Sequence, residues 1–521
     1  MTRNHWMIIV TVFALVTTVF LRFQHLERMQ LSHDEVYSIS RVFGIQHQQL
    51  VNAVHDGKLH TPAELLQYQQ AQPGNGLSQT LRALEEHPEH GPLYYLIGWA
   101  VSDWTAEPIV ALRGASVVLS LLFFPAIFWL ARDLWDRRYA WLALALAAAS
   151  PLFFLYAREG RQYALWMALI SAASAALLRL LRHNTLGNTL IYVALLILAL
   201  YTHLMTGLVM LAHALFVFLH FRRQRSELIR VGKRLVLAWA VALTAFVPWI
   251  LVILDHRKAL INYTGWMTQN TSLSNMVNAW MGHIAHLFVD VPGAERFWIP
   301  GTVAALLVTI WFFLRAPREP RLFLGALMLT YVCSVILPDL LLGGRRSLET
   351  RYLLPLLLAL ELIVAWVLAA GLTNLRSGLQ WTAFAALILL LGSGLYSLRM
   401  ITASDTWWTK SFSMEDVDLA KVINAADKPL VIGSYSGIST GEILVLSRML
   451  DAHVRILMEN RMTPLQVPEG YTQLFALMPS DPLRAQLERH YTLTPFRGSW
   501  KWLVATPKAG DPANGAARSP D

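Results

Sequence analysis

Between about residue 7 and residue 397 this chain returns repeatedly to long apolar runs, most of them near the roughly 20 residues that a helix needs to cross a hydrocarbon layer. The runs are apolar throughout instead of striped at helical spacing, so they do not describe the surface helices of a water-soluble protein. Over the 521 residues, 55% are hydrophobic and only 15% charged. This composition implies a polytopic α-helical membrane protein. The expected spans lie at about 7–22, 110–131, 139–155, 163–181, 188–202, 204–221, 235–254, 297–315, 322–340, 352–372 and 379–397, about eleven transmembrane helices.

Charge orients these spans. The formal net charge is +9, but the basic residues cluster in short segments between apolar runs, as the positive-inside rule requires, and nucleic acid is not the implied partner. Leu93 to Trp104 is apolar yet only about a dozen residues long, and is expected to lie at the membrane interface without crossing. Counting it as a span would put Arg132, Arg137, Arg138, Arg179, Arg182 and the 222–234 cluster outside; leaving it uncounted puts them, and later Arg315, Arg318, Arg321 and Arg376, inside. Eleven spans then place the C-terminus outside. Arg3, the run from Trp6 to Leu21 and the absence of a small-x-small cleavage pattern read as an uncleaved signal anchor. The lone Cys333 lies in an apolar segment and allows no internal disulfide.

Two regions differ from this pattern. Residues 23 to about 109 form a polar outer loop with helical fragments at Val36 to Val54 and Thr61 to Gln70 and a break at Pro73-Gly74-Asn75-Gly76. From about residue 401 to 508 the chain reads as a small α/β domain on the outer face, followed by a disordered tail, 509–521. Ser413 with Glu415 and Asp416 reads as a helix start, and Leu430 to Gly433, Val454 to Met458 and Leu474 to Met478 as buried strands. Helices are expected at Gly441 to Leu450 and Asp481 to His490, with a closing hairpin at Tyr491 to Phe496 and Trp500 to Thr506. Residues 1–400, the outer loop included, are expected to form the transmembrane domain.

Asp34 and Glu35 follow the first span closely, and a carboxylate at a membrane surface can be tuned as a general base. Asp34 takes the base role in this reading and Glu35 a supporting one toward the acceptor or a metal; the alternative is a helix N-terminus capped by Ser32 or Asp34. Arg158 and Arg161 occupy an outer turn where positive charge is normally depleted, and Arg113, Arg345, Arg346 and Arg351 share that side. Guanidinium groups converging from three loops suit an anionic lipid headgroup, although each alone is compatible with interfacial anchoring. Histidines crowd the first loop, with His87 and His90 spaced as a possible divalent-metal pair beside Glu86 and Glu89, interrupted by Pro88. His203, in a turn between spans, needs a partner and is either structural or in contact with substrate. Gly433, Gly437 and Gly441 match neither the dinucleotide nor the triphosphate fingerprint and read as a turn.

The acidic pair after the first span, His90-Gly91-Pro92-Leu93-Tyr94-Tyr95, Ala111-Leu112-Arg113 and Tyr156-Ala157-Arg158-Glu159 together resemble the membrane glycosyltransferases of the GT-C class. More narrowly they resemble the protein O-mannosyltransferase and aminoarabinose transferase branch, including bacterial homologues described as RgtA/B/C/D-like. The resemblance covers roughly residues 1–220; beyond 235 it is architectural. One departure is that the family usually carries two prolines after the histidine, where this chain has Gly91 then Pro92. The resemblance implies a polyprenyl-phosphate-linked sugar donor, inversion at the anomeric carbon with phosphate leaving, Asp34 as the acid of the first outer loop and Arg113 near the donor phosphate. His90, Tyr94, Tyr163 and His203 are the candidate substrate contacts of this reading, and Glu35, His87 and His90 its candidates for a divalent metal ion. The implied partners are the donor, an envelope lipid, glycan or protein acceptor and the bilayer, at a bacterial inner membrane with the active site periplasmic. Two other classes remain: a lipid-linked sugar flippase or transporter, which needs polar groups near the midplane, and a membrane-anchored assembly factor, which would tolerate loss of Asp34.

Overall fold

The computed structural model describes residues 5–373, 377–462 and 465–508. Arg3, Arg376 and the tail 509–521 therefore lie outside the described residues. Two compact units emerge: Met1–Leu26, His87–Val101 and Val110–Ala403 form one, and Glu27–Glu86, Ser102–Ile109 and Ser404–Asp521 the other. Most of the polar stretch 23–109 thus clusters with the C-terminal α/β region, not with the spans to which its sequence position assigns it.

The first unit is helical. Among the described residues, eight helices are long and apolar enough to cross a membrane: His5–Phe23, Pro108–Leu134, Tyr163–Arg182, Arg225–Asp255, Ala294–Arg315, Arg318–Leu342, Leu354–Thr373 and Gly378–Ala403. A ninth candidate is a broken pair, Arg137–Ala149 and Pro151–Ala157, bent by 63°. The break has a local cause. Ser150 leaves helical geometry (ψ 118°), its hydroxyl donates to the Leu287 carbonyl at 2.8 Å, and Pro151 restarts the chain at a first-turn position. Leu186–Thr202 and Thr206–Phe221 are shorter apolar helices. Every expected run is therefore helical, but length and composition support eight or nine spans and not the full eleven. Leu93–Val101 has nine residues, too few to cross.

Glu361 sits well inside Leu354–Thr373, is fully buried, and neither carboxylate oxygen has a hydrogen-bond partner among the described residues.

The second unit is built on a six-stranded sheet. Its strands are β1 (Leu59–His60), β2 (Pro429–Gly433), β3 (Arg455–Met458), β4 (Gln473–Leu477), β5 (Tyr491–Pro495) and β6 (Trp502–Pro507), in the order β1-β3-β2-β4-β6-β5. β2 runs parallel to both β3 and β4, while β6 and β5 close one side as an antiparallel hairpin. These are the strands and the hairpin expected from the apolar runs. Leu430, Ile432, Leu474 and Ala476 on one face pack with Leu483 and Leu487 of Asp481–His490. What sequence order concealed is β1: two residues of the polar stretch 23–109 extend the sheet, Leu59 pairing with Leu457 and His60 with Ile456.

Two helices of that stretch also belong to this unit. The helical fragment expected over Val36 to Val54 is two helices, His33–Val42 and His47–Val54, separated at Gly44, which adopts φ +68° as only glycine does freely. Gly437 and Gly441 are not a loop turn but one face of the helix Gly437–Ser447. A Cβ on Gly441 would lie 2.8 Å from the Cβ of His33, so the small residue lets His33–Val42 pack directly on this helix. His55 is clamped between the two parts of the unit: its Nδ1 meets the Glu459 carbonyl and its Nε2 the Thr440 hydroxyl, each at 3.1 Å.

Burial pushes the His55 imidazole down from 6.5 to about 4. The folded state holds it neutral, whereas an unfolded chain protonates it near its ordinary value. Stability is therefore complete above about pH 6.5 and is lost as pH falls toward 4, by about 3 kcal/mol from this residue. Thermal unfolding of the detergent-solubilised protein at a series of pH values should show this slope in the wild type and a shallower one in His55→Asn.

Candidate functional site

Helix His33–Val42 begins with a capping box: the Glu35 N–H donates to the Ser32 hydroxyl at 3.3 Å, and the Ser32 N–H donates to Glu35 Oε2 at 3.1 Å. The alternative of a capped helix start is thus realised, and it involves Glu35, not Asp34. Lys410 Nζ donates to the same Glu35 oxygen at 2.8 Å, with both side chains almost wholly buried. An ammonium and a carboxylate so enclosed are costly to separate. Glu35 thus serves the architecture of its unit.

Asp34, one residue earlier, points elsewhere. Its side chain is 28% exposed, and His33 Nε2 lies 3.4 Å from Oδ1. His33 Nδ1 is in turn 3.9 Å from Glu442 Oε1, and the ring stands edge-on to Phe412. Of the adjacent acids, Asp34 is the more accessible and has an imidazole beside it.

Behind this helix lies an ionic cluster that the sequence did not disclose. Lys501 Nζ donates to Asp416 Oδ1 at 2.9 Å and also to Glu442 Oε2 and the Phe412 carbonyl. Trp502 Nε1 donates to the same Asp416 oxygen at 3.0 Å, and Ser413 Oγ donates to Glu442 Oε1 at 2.8 Å. Asp416, Glu442 and Lys501 are buried. Burial, with Glu442 adding to it and Lys501 opposing, pushes the Asp416 carboxyl well above the usual carboxylate range. Burial alone would lower Lys501, but the Asp416 and Glu442 carboxylates reverse that and raise it. Ser413 therefore does not start the α-helix: Trp408–Glu415 is a 3₁₀ segment, and the α-helix begins at Asp416, an acid in the first turn as expected that also holds Lys501.

The other site candidates lie in the helical unit, and they separate into two groups. Arg158 donates to the carbonyls of Leu21 (3.3 Å), Gln24 (2.7 Å) and His25 (3.0 Å) and to the Thr402 hydroxyl (3.0 Å). Three of these acceptors are backbone carbonyls in the last turn of helix His5–Phe23 and just beyond it. Arg113 donates to the Leu26 carbonyl at 2.7 Å. Tyr94 is fully buried, its hydroxyl donating to the Leu112 carbonyl at 3.1 Å with Ser116 Oγ at 2.8 Å. Arg346 pairs at 2.9 Å with the buried Asp339, whose second oxygen accepts the Ser347 N–H. Arg351 pairs with Glu349 at 3.2 Å, and Arg345 donates to Gln269 Oε1 at 3.4 Å.

The second group converges. His90 forms a backbone bridge with His203, and its Nδ1 is 3.5 Å from Gln162 Nε2. Tyr163 lies with its ring 5.9 Å from that of His203, and Arg161 Nη2 donates to the Tyr163 hydroxyl at 3.3 Å. His203 stacks on Trp166 at 4.4 Å, and its Nδ1 accepts the Met205 N–H at 3.2 Å, which leaves the proton of the neutral ring on Nε2. Burial, then Arg161 and Arg351, lower this turn histidine to about 3, so it remains a neutral donor at physiological pH. His90, Arg161, Tyr163 and His203 with Arg351 nearby thus bring cationic and neutral donors together. Gly91 has a plain reason to replace a proline here: a Cβ at that position would lie 2.4 Å from the Tyr201 carbonyl oxygen.

Metal ligation finds less support. His87 Nδ1 meets Glu89 Oε1 at 3.0 Å and its ring packs on Tyr263, while Glu35 is held by Lys410. Among the described residues no group of three His, Cys, Asp or Glu side chains is placed to hold an ion.

The comparisons agree with this architecture. A family model described as dolichyl-phosphate-mannose-protein mannosyltransferase matches residues 87–252, the stretch that carries the His90, Arg161, Tyr163 and His203 cluster. The crystal structure of ArnT from Cupriavidus metallidurans bound to undecaprenyl phosphate is similar with a TM-score of 0.52 and 17% identity, over 97% of this chain and 99% of that one. The chain has the GT-C fold. The oligosaccharyltransferase of Archaeoglobus fulgidus in its apo form is similar with a TM-score of 0.50 and 11% identity, over 98% of this chain and 75% of that one. A complex of the archaeal oligosaccharyltransferase AglB from the same organism with an inhibitory peptide and a dolichol-phosphate gives 0.50 and 12%. No curated protein matches in sequence. The GT-C resemblance read from the sequence motifs thus extends to the whole fold.

The two acids should separate in stability measurements. Glu35→Ala leaves Lys410 charged and buried and is expected to cost about 3–5 kcal/mol, whereas Asp34→Asn is expected to change stability by about 0.5 kcal/mol or less. Thermal unfolding of both variants in detergent checks this, and equal losses would contradict the division of roles.

Proposed function

We propose that this chain is an inverting glycosyltransferase that moves a sugar from a polyprenyl-phosphate-linked donor to a lipid, glycan or protein acceptor on the periplasmic face of a bacterial inner membrane. The observation that carries this reading is the match of residues 87–252 to a dolichyl-phosphate-mannose-dependent transferase model. The GT-C fold shared with an undecaprenyl-phosphate complex supports it. In the proposed reaction an acceptor hydroxyl or amine attacks the anomeric carbon as the bond from that carbon to the phosphate oxygen breaks. Asp34 takes the acceptor proton, and the bonding electrons leave with the polyprenyl phosphate.

Charge developing on the leaving phosphate needs donors fixed in advance. Arg161, Arg351 and the His203 Nε2–H are assigned this role, with Tyr163 and His90 shaping the sugar-phosphate site. Arg113, Arg158, Arg345 and Arg346 were candidates for the same task. The carbonyls held by Arg113 and Arg158 and the carboxylate held by Arg346 favour an architectural role for those three instead. A divalent metal is not required by this scheme.

One observation favours the transporter alternative, namely the buried Glu361 within a candidate span. The test distinguishes the two. Membranes supplied with a radiolabelled polyprenyl-phosphate-sugar pool should transfer label into a lipid, polymer or protein fraction with the wild type, and Asp34→Asn should lower the rate by about 10²–10⁴. Equal transfer by Asp34→Asn would remove that residue as the base. Movement of labelled donor across the bilayer without transfer would favour the transporter.

A further inference from the structure

The unit that holds Asp34 also contains a cavity that the transfer scheme does not use. It encloses about 450 Å³ beside the Gly44 turn, between the start of helix His47–Val54 and the turn leading into helix Leu77–Glu85. That volume falls within the ~300–1,000 Å³ of small-molecule sites, but such sites are mostly apolar. Here Gln46, Gln49, Gln72, Asn75 and Gln79 all contribute to the wall, together with Tyr68.

Several of these amides are anchored by one atom. Asn75 Nδ2 donates to the Phe43 carbonyl at 2.9 Å, and Gln72 Nε2 donates to the Gln67 carbonyl at 2.6 Å. Gln79 Oε1 accepts the Gly76 N–H at 3.0 Å and the Ser78 hydroxyl at 2.7 Å. The anchoring leaves acceptor oxygens on Asn75 and Gln72 and a donor nitrogen on Gln79, fixed before any ligand arrives. The wall contains no carboxylate to hold a cation, and Arg82 is its one cationic side chain. Neither a metal ion nor a strongly anionic ligand matches that set.

Dense, pre-oriented amide donors and acceptors beside an aromatic ring match a molecule that carries both vicinal hydroxyls and C–H faces. We infer that this cavity is a saccharide-binding subsite that takes a neutral or singly acidic glycan unit. The inference concerns binding, and it holds whether or not the transfer reaction is as proposed.

Saturation-transfer difference NMR on the full-length protein tests it, in lauryldimethylamine oxide because that detergent lacks a sugar headgroup. The probes are maltose, methyl α-mannopyranoside and glucuronic acid, with triglycine as the amide-rich alternative. At least one saccharide is expected to give signal. Gln49→Ala, an exposed position, and Tyr68→Ala should each weaken its affinity about tenfold or more, while Asp34→Asn leaves it unchanged. Absence of signal from all three saccharides, a response to triglycine alone, or loss of the signal in Asp34→Asn with retention in Gln49→Ala would each overturn the inference.

Discussion

The buried contact between Lys410 and Glu35 is the constraint on which the acid-bearing unit depends. Two charges removed from water are tolerated only when each is the other's partner and further hydrogen bonds complete the shell. Here the Ser32 N–H supplies one of those bonds through the capping box. Because the pair joins residues 375 positions apart, it holds the start of helix His33–Val42 to the segment that follows the last apolar run. The Lys501, Asp416 and Glu442 cluster repeats the device one layer deeper, and Gly441 removes the side chain that would keep the two helices apart. The consequence for chemistry is local: with Glu35 committed to the fold, its neighbour is held at a fixed angle with partial access to water.

The helical unit treats its cations in the same economical way. A guanidinium enclosed in a membrane protein invites a functional reading, yet Arg158 meets four acceptors of the protein's own. Three of these are carbonyls at the end of the first helix, where the backbone has acceptors to spare. Arg161 donates to the Tyr163 hydroxyl and faces its ring, in a cluster with two histidines.

Much of the fold was legible because hydrophobic run length is a direct physical requirement of the bilayer. The strands β2 to β6 were legible for a similar reason: short buried runs between turn residues admit few alternatives. Legibility ended where long-range partners decide the outcome. Nothing around Leu59 and His60 announces a strand, because their ladder is provided by β3 almost 400 residues later. Ser413 resembles a helix start in isolation, but a 3₁₀ segment runs to Glu415 and the α-helix begins at Asp416, whose carboxylate also meets the distant Lys501. Gly437 and Gly441 read as a turn because their spacing acquires meaning only when a second helix is laid against it. For the acidic pair the sequence suggested Asp34 as base and Glu35 as its support; what it could not show is the tie between Glu35 and Lys410, 375 positions away.

The most direct test of this account is a double-mutant cycle on the Lys410 and Glu35 pair, using Glu35→Leu, Lys410→Met and the combination, with unfolding free energy measured in detergent. Each single change strands a buried charge, while the double change removes both. The account predicts that the double variant is more stable than either single one, with a coupling of about 2 kcal/mol or more. Additive losses would mean that the two side chains do not meet, and the proposed division of labour between Glu35 and Asp34 would lose its foundation.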